Sequence, residues 1–155
     1  MKKLTLEEKN YIAGFLDGDG SIFAQIIRGK TYKYNFRIRV FIGFYQKKDK
    51  HWFMLKLKKL LKYGYLRIRK DAVSELVISG TGPVEQVLLQ LKDALILKRN
   101  NANLVLKIIE KKRKINSKYE FIEVCKLVDQ VAALNYSKNR LITSKIVIES
   151  LKGII

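Results

Sequence analysis

The chain has 155 residues, 48% of them hydrophobic and 30% charged, with a formal net charge of +18. That length suits one domain with a buried core, and that charge points to a polyanionic partner rather than to a small-molecule substrate. One cysteine and one histidine exclude a disulfide framework, a zinc centre built on those residues and a Cys–His nucleophile pair.

No apolar run approaches the roughly 20 residues of a membrane span, and Met1-Lys2-Lys3-Leu4 lacks a secretory apolar core, so neither a membrane partner nor export is expected. Thr5 caps a helix, and Glu8 three residues later completes a capping box. The helix, placed at 5–18, carries Ile12-Ala13-Gly14-Phe15-Leu16-Asp17, and Gly18-Asp19-Gly20 is expected to end it. Ser21 to Ile27 reads as a strand and Arg28-Gly29-Lys30 as a turn. The clearest alternation in the chain follows. Tyr34, Phe36, Ile38, Val40, Ile42 and Phe44 form a core face, and Lys33, Asn35, Arg37, Arg39, Phe41, Gly43 and Tyr45 lie opposite. Asp49 to Leu61 reads as a helix with Trp52, Leu55 and Leu60 inward. Tyr65 to Arg69 alternates again, Leu66 and Ile68 on one face and Tyr65, Arg67 and Arg69 on the other, and Lys70 to Ser74 links it to a short strand at Glu75 to Ile78. Pro83 suits the first turn of a helix reaching about Leu95. Further helices are predicted at Asn100 to Lys112, Lys118 to Leu134 and Ile142 to Leu151. The order predicts an α+β fold, one antiparallel sheet with helices packed on one face, as a single domain over 1–155 with C-terminal helices over about 98–151. Residues 146–155 receive no role.

Between Arg28 and Lys70 stand fifteen Lys or Arg and one acid, Asp49. Basic and aromatic side chains alternating on strands suit a β-ribbon reader of the major groove. Arg37, Arg39, Arg67 and Arg69 are the candidates for guanine contacts, because arginine alone offers the bidentate fork. Lys47, Lys48 and the run Lys111-Lys112-Arg113-Lys114 suit phosphates, which set affinity and register. The lysines at 56, 58, 59 and 62 read as a solvated helix face, and Trp52 and Tyr63 as core.

Ala13, Gly14, Asp17 and Gly18 recur at spacings that place them on one helix face. Two glycines weaken a helix, and close approach of another backbone is the reason they invite. Asp17 and Asp19 do not open an EF-hand loop, since its sixth and twelfth places hold Ile22 and Arg28. Residues 12–20 resemble the LAGLIDADG motif of homing endonucleases, with Ile12 for the first Leu, Phe15-Leu16 for Leu-Ile and Gly18 for the second Ala. The motif occurs once. Single-motif members of that family are homodimers in which each chain supplies one helix. The resemblance implies an αββαββα core with C-terminal helices, a saddle-shaped sheet on DNA, and a dimer interface at Ile12, Ala13, Gly14 and Asp17.

By the same resemblance, Asp19 of each chain binds a divalent metal, Mg2+ or Mn2+, with the carbonyl of Gly18 as a further oxygen. Hard oxygen ligands suit that ion. Gln46 matches the family's polar residue near the attacking water. Lys98, in Leu97-Lys98-Arg99-Asn100-Asn101-Ala102-Asn103, matches its lysine beside the scissile phosphates. Lys50 stands where relatives carry a basic residue. The stretches Asn101 to Glu110 and Phe121 to Leu134 resemble the homodimeric branch found in chloroplast introns, and Ser137, Lys138 and Arg140 match a loop touching the DNA backbone. On the sheet, Gln25, Arg28, Lys30, Tyr32, Lys33, Tyr65 and Glu75 join the arginines as candidate DNA contacts, matching the family in position more than in identity. The implied activity is metal-dependent cleavage of both strands at a long pseudo-palindromic site, promoting intron mobility, in an organelle. Two other readings stay open, an RNA-binding intron maturase and a DNA-binding regulator.

Overall fold

The computed structural model describes residues 1–153. Helix α1 spans Leu6–Asp19. Thr5 and Glu8 close the expected capping box, with the Thr5 side chain accepting from the Glu8 N–H and the Glu8 side chain accepting from the Thr5 N–H. Gly18 does not end the helix. It runs on through Asp19 and passes at Gly20, with extended backbone, straight into strand β1 (Gly20–Arg28). Packing sets that junction. A Cβ on Gly20 would lie 2.5 Å from the Leu16 side chain and 2.9 Å from the Gly43 carbonyl oxygen, so only glycine lets helix and sheet meet so closely.

Strand β2 (Phe36–Lys47) leads through a 3-10 turn (Lys48–Lys50) into α2 (His51–Leu61). Strands β3 (Tyr65–Ile68) and β4 (Val73–Ser79) form the second hairpin. Helices α3 (Thr81–Leu91), α4 (Arg99–Lys112), α5 (Lys118–Leu134) and α6 (Ser144–Leu151) complete the chain. The strands form one antiparallel sheet in the order β1-β2-β4-β3. Its inward residues, Ile22, Ile26, Ile38, Ile42, Phe44, Leu76 and Ile78, share one core cluster with Leu16, Val87, Leu91, Val105 and Val128 from the helices. From Phe36 on, the period-2 reading of β2 is borne out in its inward face; Lys33, Tyr34 and Asn35, read as part of it, lie in the turn that precedes the strand.

The inward face of α2 and the end of α3 differ from expectation. On α2 the buried residues are Met54, Leu57 and Leu61, while Trp52 and Leu55 are 56% and 53% exposed. Aromatic size suggested an inward Trp52, but the stripe that faces the sheet lies two residues further on. Ile68 is exposed because β3 is the edge strand and no helix covers its end. Helix α3 stops at Leu91, four residues short of Leu95, which is itself buried in the core. Tyr63 is half-buried as expected, its hydroxyl donating to Gln86 at 2.9 Å. Among the described residues no helix is long and apolar enough to cross a membrane.

Candidate active site and nucleic-acid interface

The C-terminal end of α1 gathers three side chains from distant parts of the chain. Asp19 is the last helical residue, and its carboxylate is exposed. Gln46, near the end of β2, donates to its Oδ2 at 3.4 Å. Lys98 arrives from the start of α4, and its Nζ donates to the Asp17 carbonyl oxygen at 2.6 Å. The last turn of α1 carries no basic residue of its own, so Lys98 supplies the cation that the negative end of a helix favours. Two of its three donors remain for another ligand. The Leu16 carbonyl takes the Gly20 N–H and the Asp17 carbonyl takes Lys98, which leaves Gly18 as the next carbonyl of a turn whose oxygens have no intrahelical partner.

Asp17 is engaged within its own chain. Its Oδ2 accepts from the Ile96 N–H at 2.8 Å and its Oδ1 from the Lys98 N–H at 3.0 Å. It anchors the loop that delivers Lys98. Ile12 and Ala13 are buried in the chain's own core. The outward strip of α1 runs through Gly14 and Gly18, where an added Cβ would meet nothing within 4 Å. Beside this end of the helix, Ile96 and Leu97 are 80% and 75% exposed. Lys50 is not brought to Asp19 by any bond described; it lies in the turn after β2, 3.7 Å from Asp49.

The outward face of the sheet is basic and aromatic. Arg37 lies 5.9 Å over Tyr32 and Arg39 5.0 Å over Phe41, so these guanidiniums rest on rings, while Arg28, at the end of β1, lies 4.8 Å over the core-side Phe36 ring. Gln25 stands opposite Arg39 across β1 and β2. Lys30, Lys33, Lys47 and Lys48 are exposed around the strand ends, and Tyr65 lies exposed on β3. Glu75 pairs with Arg67 at 2.8 Å, and this hydrogen bond holds the Arg67 guanidinium above its ordinary range. Arg69 pairs with Asp71 at 2.7 Å. Glu75 is the more covered partner, so it aims Arg67 while the guanidinium stays accessible. Lys112, half-buried at the end of α4, is pushed below the ordinary lysine range by burial and then by Arg37 and Arg39. Arg113 and Lys114 in the same run are turned to Glu85 and Glu110.

Beside β1 opens a groove of about 1190 Å3, bordered by Arg28, Lys98, Ser137, Lys138 and Arg140. Ser137 and Lys138 are exposed on its rim. Arg140 is held within the chain. It donates to Asp129 at 2.7 Å and to the Ile142 carbonyl at 3.2 Å, fastening the loop to α5. An amide pair, Asn101 buried and Asn135 partly so, fixes the other side of the groove. Asn101 donates to Asn135 at 2.7 Å and Asn135 to the Ile22 carbonyl at 2.9 Å.

Sequence reasoning missed a feature in the middle of the outward face. A Cβ at Gly43 would lie 2.2 Å from the Tyr45 hydroxyl, because the Tyr45 ring folds back over Gly43 and its hydroxyl meets Ser21 Oγ at 3.1 Å. The signal was present, since a glycine two residues from an aromatic on a strand leaves room for the ring to cover it.

A family model described as LAGLIDADG endonuclease matches residues 12–94. Over 138 residues the chain is 45% identical to the DNA endonuclease I-CreI of Chlamydomonas reinhardtii, covering 88% of this chain and 84% of that protein. It is 35% identical over 142 residues to the DNA endonuclease I-CvuI of Chlorella vulgaris, with 92% and 88% covered. The crystal structure of I-CvuI in complex with the I-CreI target in the presence of Mg aligns with a TM-score of 0.90 and 34% identity over 94% of this chain and 93% of that one. The same enzyme with its own target in the presence of Ca gives 0.89.

Proposed function

The chain belongs to the LAGLIDADG endonuclease family, and we propose that it is a homing endonuclease that cuts both strands of a long pseudo-palindromic DNA site as a homodimer. The observation that carries the active site is the meeting of Asp19, Gln46 and Lys98 at the exposed end of α1. A site that only bound nucleic acid would need none of the three.

Among the described residues no three His, Cys, Asp or Glu gather to hold a metal. One chain offers Asp19 and the Gly18 carbonyl, which is half a site. The oxygen donors fit Mg2+ or Mn2+, and two copies would supply a carboxylate each. The bare strip at Gly14 and Gly18 is the surface we assign to that second copy. When bound, the cation neutralises phosphate charge and activates water. The chain's own residues do the rest. Gln46, hydrogen-bonded to the acid, orients a water beside it. Lys98, held by the Asp17 carbonyl, keeps two donors toward developing phosphate charge. Lys50 is a neighbouring cation with the weaker claim, since lysine lacks arginine's fork.

The sheet reads the site. Arg37, Arg39, Arg67 and Arg69 contact base edges, Gln25 and Tyr65 flank them, and Lys30, Lys33, Lys47, Lys48, Ser137 and Lys138 track phosphates. We read the gene as organellar. The test is cleavage of a large randomised duplex library, with Mg2+ and with EDTA, followed by sequencing of the ends produced. Metal-dependent ends at one long near-palindrome are expected. Selective binding with no new ends, by folded protein, overturns the catalytic reading.

A further inference from the structure

Two phenylalanines stand where a DNA-facing sheet offers no obvious use for them. Phe23 on β1 and Phe41 on β2 are direct cross-strand partners, and their rings stack at 4.8 Å with an interplanar angle of 16°. Both point outward, on the side of Arg37 and Arg39, and neither belongs to the core cluster. Phe41 is nevertheless only 8% exposed, covered by Phe23 and by the Arg39 guanidinium 5.0 Å from its ring. On the side toward Asp19 the next cross-strand pair is Ser21 and Gly43, whose surface is the folded-back Tyr45 ring. A stacked aromatic step thus lies on this face between the paired positions of Arg39 and the catalytic end.

A base edge facing that step finds no hydrogen-bond partner. Every base turns polar groups to the major groove, thymine O4 among them, and burying one unpaired is costly, so an apolar step gains only from a base that also offers apolar surface. The groove holds one apolar group, the thymine 5-methyl. We propose that the Phe23–Phe41 stack reads thymine methyl groups, giving this protein a thymine preference between the Arg39-read position and the centre of its site. Phe41 lies two residues from Arg39 along β2. A strand rises about 3.3 Å per residue and DNA about 3.4 Å per base pair, so the preferred thymine falls about two base pairs closer to the centre. This rests on the reading of the chain as a DNA endonuclease with its sheet in the groove.

The experiment is the library selection run twice, on DNA amplified with dTTP and with dUTP. The two libraries pair identically and differ only in the methyl. With dTTP, one or two positions per half-site at that distance should be enriched in thymine. With dUTP the enrichment should vanish there while guanine positions persist. Single thymine-to-uracil replacements at those positions should weaken binding about three- to fivefold, the value of one buried methyl. Phe23→Ser, a change that leaves no methyl at a half-exposed site, should remove the sensitivity to uracil and keep the guanine preferences. Phe41→Ser should do the same where it folds. Equal enrichment of thymine and uracil, or a uracil effect that survives Phe23→Ser, overturns the inference and leaves the endonuclease reading intact. A library with no enriched sequence and no metal-dependent ends overturns that reading and this inference together.

Discussion

Asp19 ends α1 with its carboxylate exposed and the Gln46 amide donating to it at 3.4 Å. Asp19→Asn keeps the shape and removes the charge. Cleavage should fall at least about a thousandfold, as for the loss of a preorganised electrostatic group, while site-specific binding persists in gel-shift titration. A variant cutting at the parent's rate would remove Asp19 from the centre. Cys125 gives a second prediction at this scale. Burial, and then the charge of Asp129, pushes its thiol up from 9.0 to about 12. The folded chain therefore holds a proton that the unfolded chain releases above pH 9.0, so this group's contribution to stability is present below that pH and falls as pH rises through the window. At pH 8 the thiol should resist alkylation by iodoacetamide until the protein is unfolded, as followed by mass spectrometry. Prompt labelling of the folded protein would contradict its burial. The roles of Arg140 and Glu75 also belong to this scale. Both were charged residues at plausible positions, and only their partners showed that one fastens a loop and the other aims Arg67.

The elements separate glycines that look alike in the sequence. At Gly20 a Cβ would strike Leu16 and the Gly43 carbonyl, so Gly20→Ala should destabilise the chain by about 1–3 kcal/mol through overpacking, measured by urea unfolding. At Gly14 the same atom meets nothing within 4 Å. There, alanine should stabilise the isolated helix by up to about 1 kcal/mol. Gly14→Leu should leave the thermal midpoint of a monomer undiminished, yet sedimentation should show a monomer and cleavage should be lost. A Gly14→Leu protein that remains dimeric and cuts would free this strip from the interface. Helix α2 teaches the converse lesson. Its lysines alternate with apolar residues closely enough that several inward faces were plausible, and contact with β3 and β4 selected Met54, Leu57 and Leu61.

For the whole molecule the governing quantity is a net charge of +18, with fifteen Lys or Arg against one acid between Arg28 and Lys70. Binding to DNA should weaken steeply with salt, each phosphate contact adding about −0.9 to the log–log slope. Lys138→Ala should reduce that slope by about one unit and weaken all sequences alike, whereas Arg37→Ala or Arg39→Ala should relax base preference at defined positions. Fluorescence anisotropy across salt concentrations separates the two. An unchanged slope for Lys138→Ala would remove it from the phosphate-contacting rim.

Much was legible in the order of residues alone. Alternation in β2, the Thr5–Glu8 box, the run of helices after Pro83 and the acid pair after a glycine-bearing helix are local patterns, governed by strand and helix periods and by capping, and they specified the α+β order and pointed to Asp19. What needed the folded chain were relations between residues far apart. Lys98 reaches the end of α1 because Asp17 holds the backbone of 96–98, and Ile12 and Ala13 face inward because the sheet lies on that side of the helix. The Phe23–Phe41 stack forms because the register of β1 on β2 sets two odd-numbered residues opposite each other. Periodicity says that a residue has a face; only packing decides what that face meets.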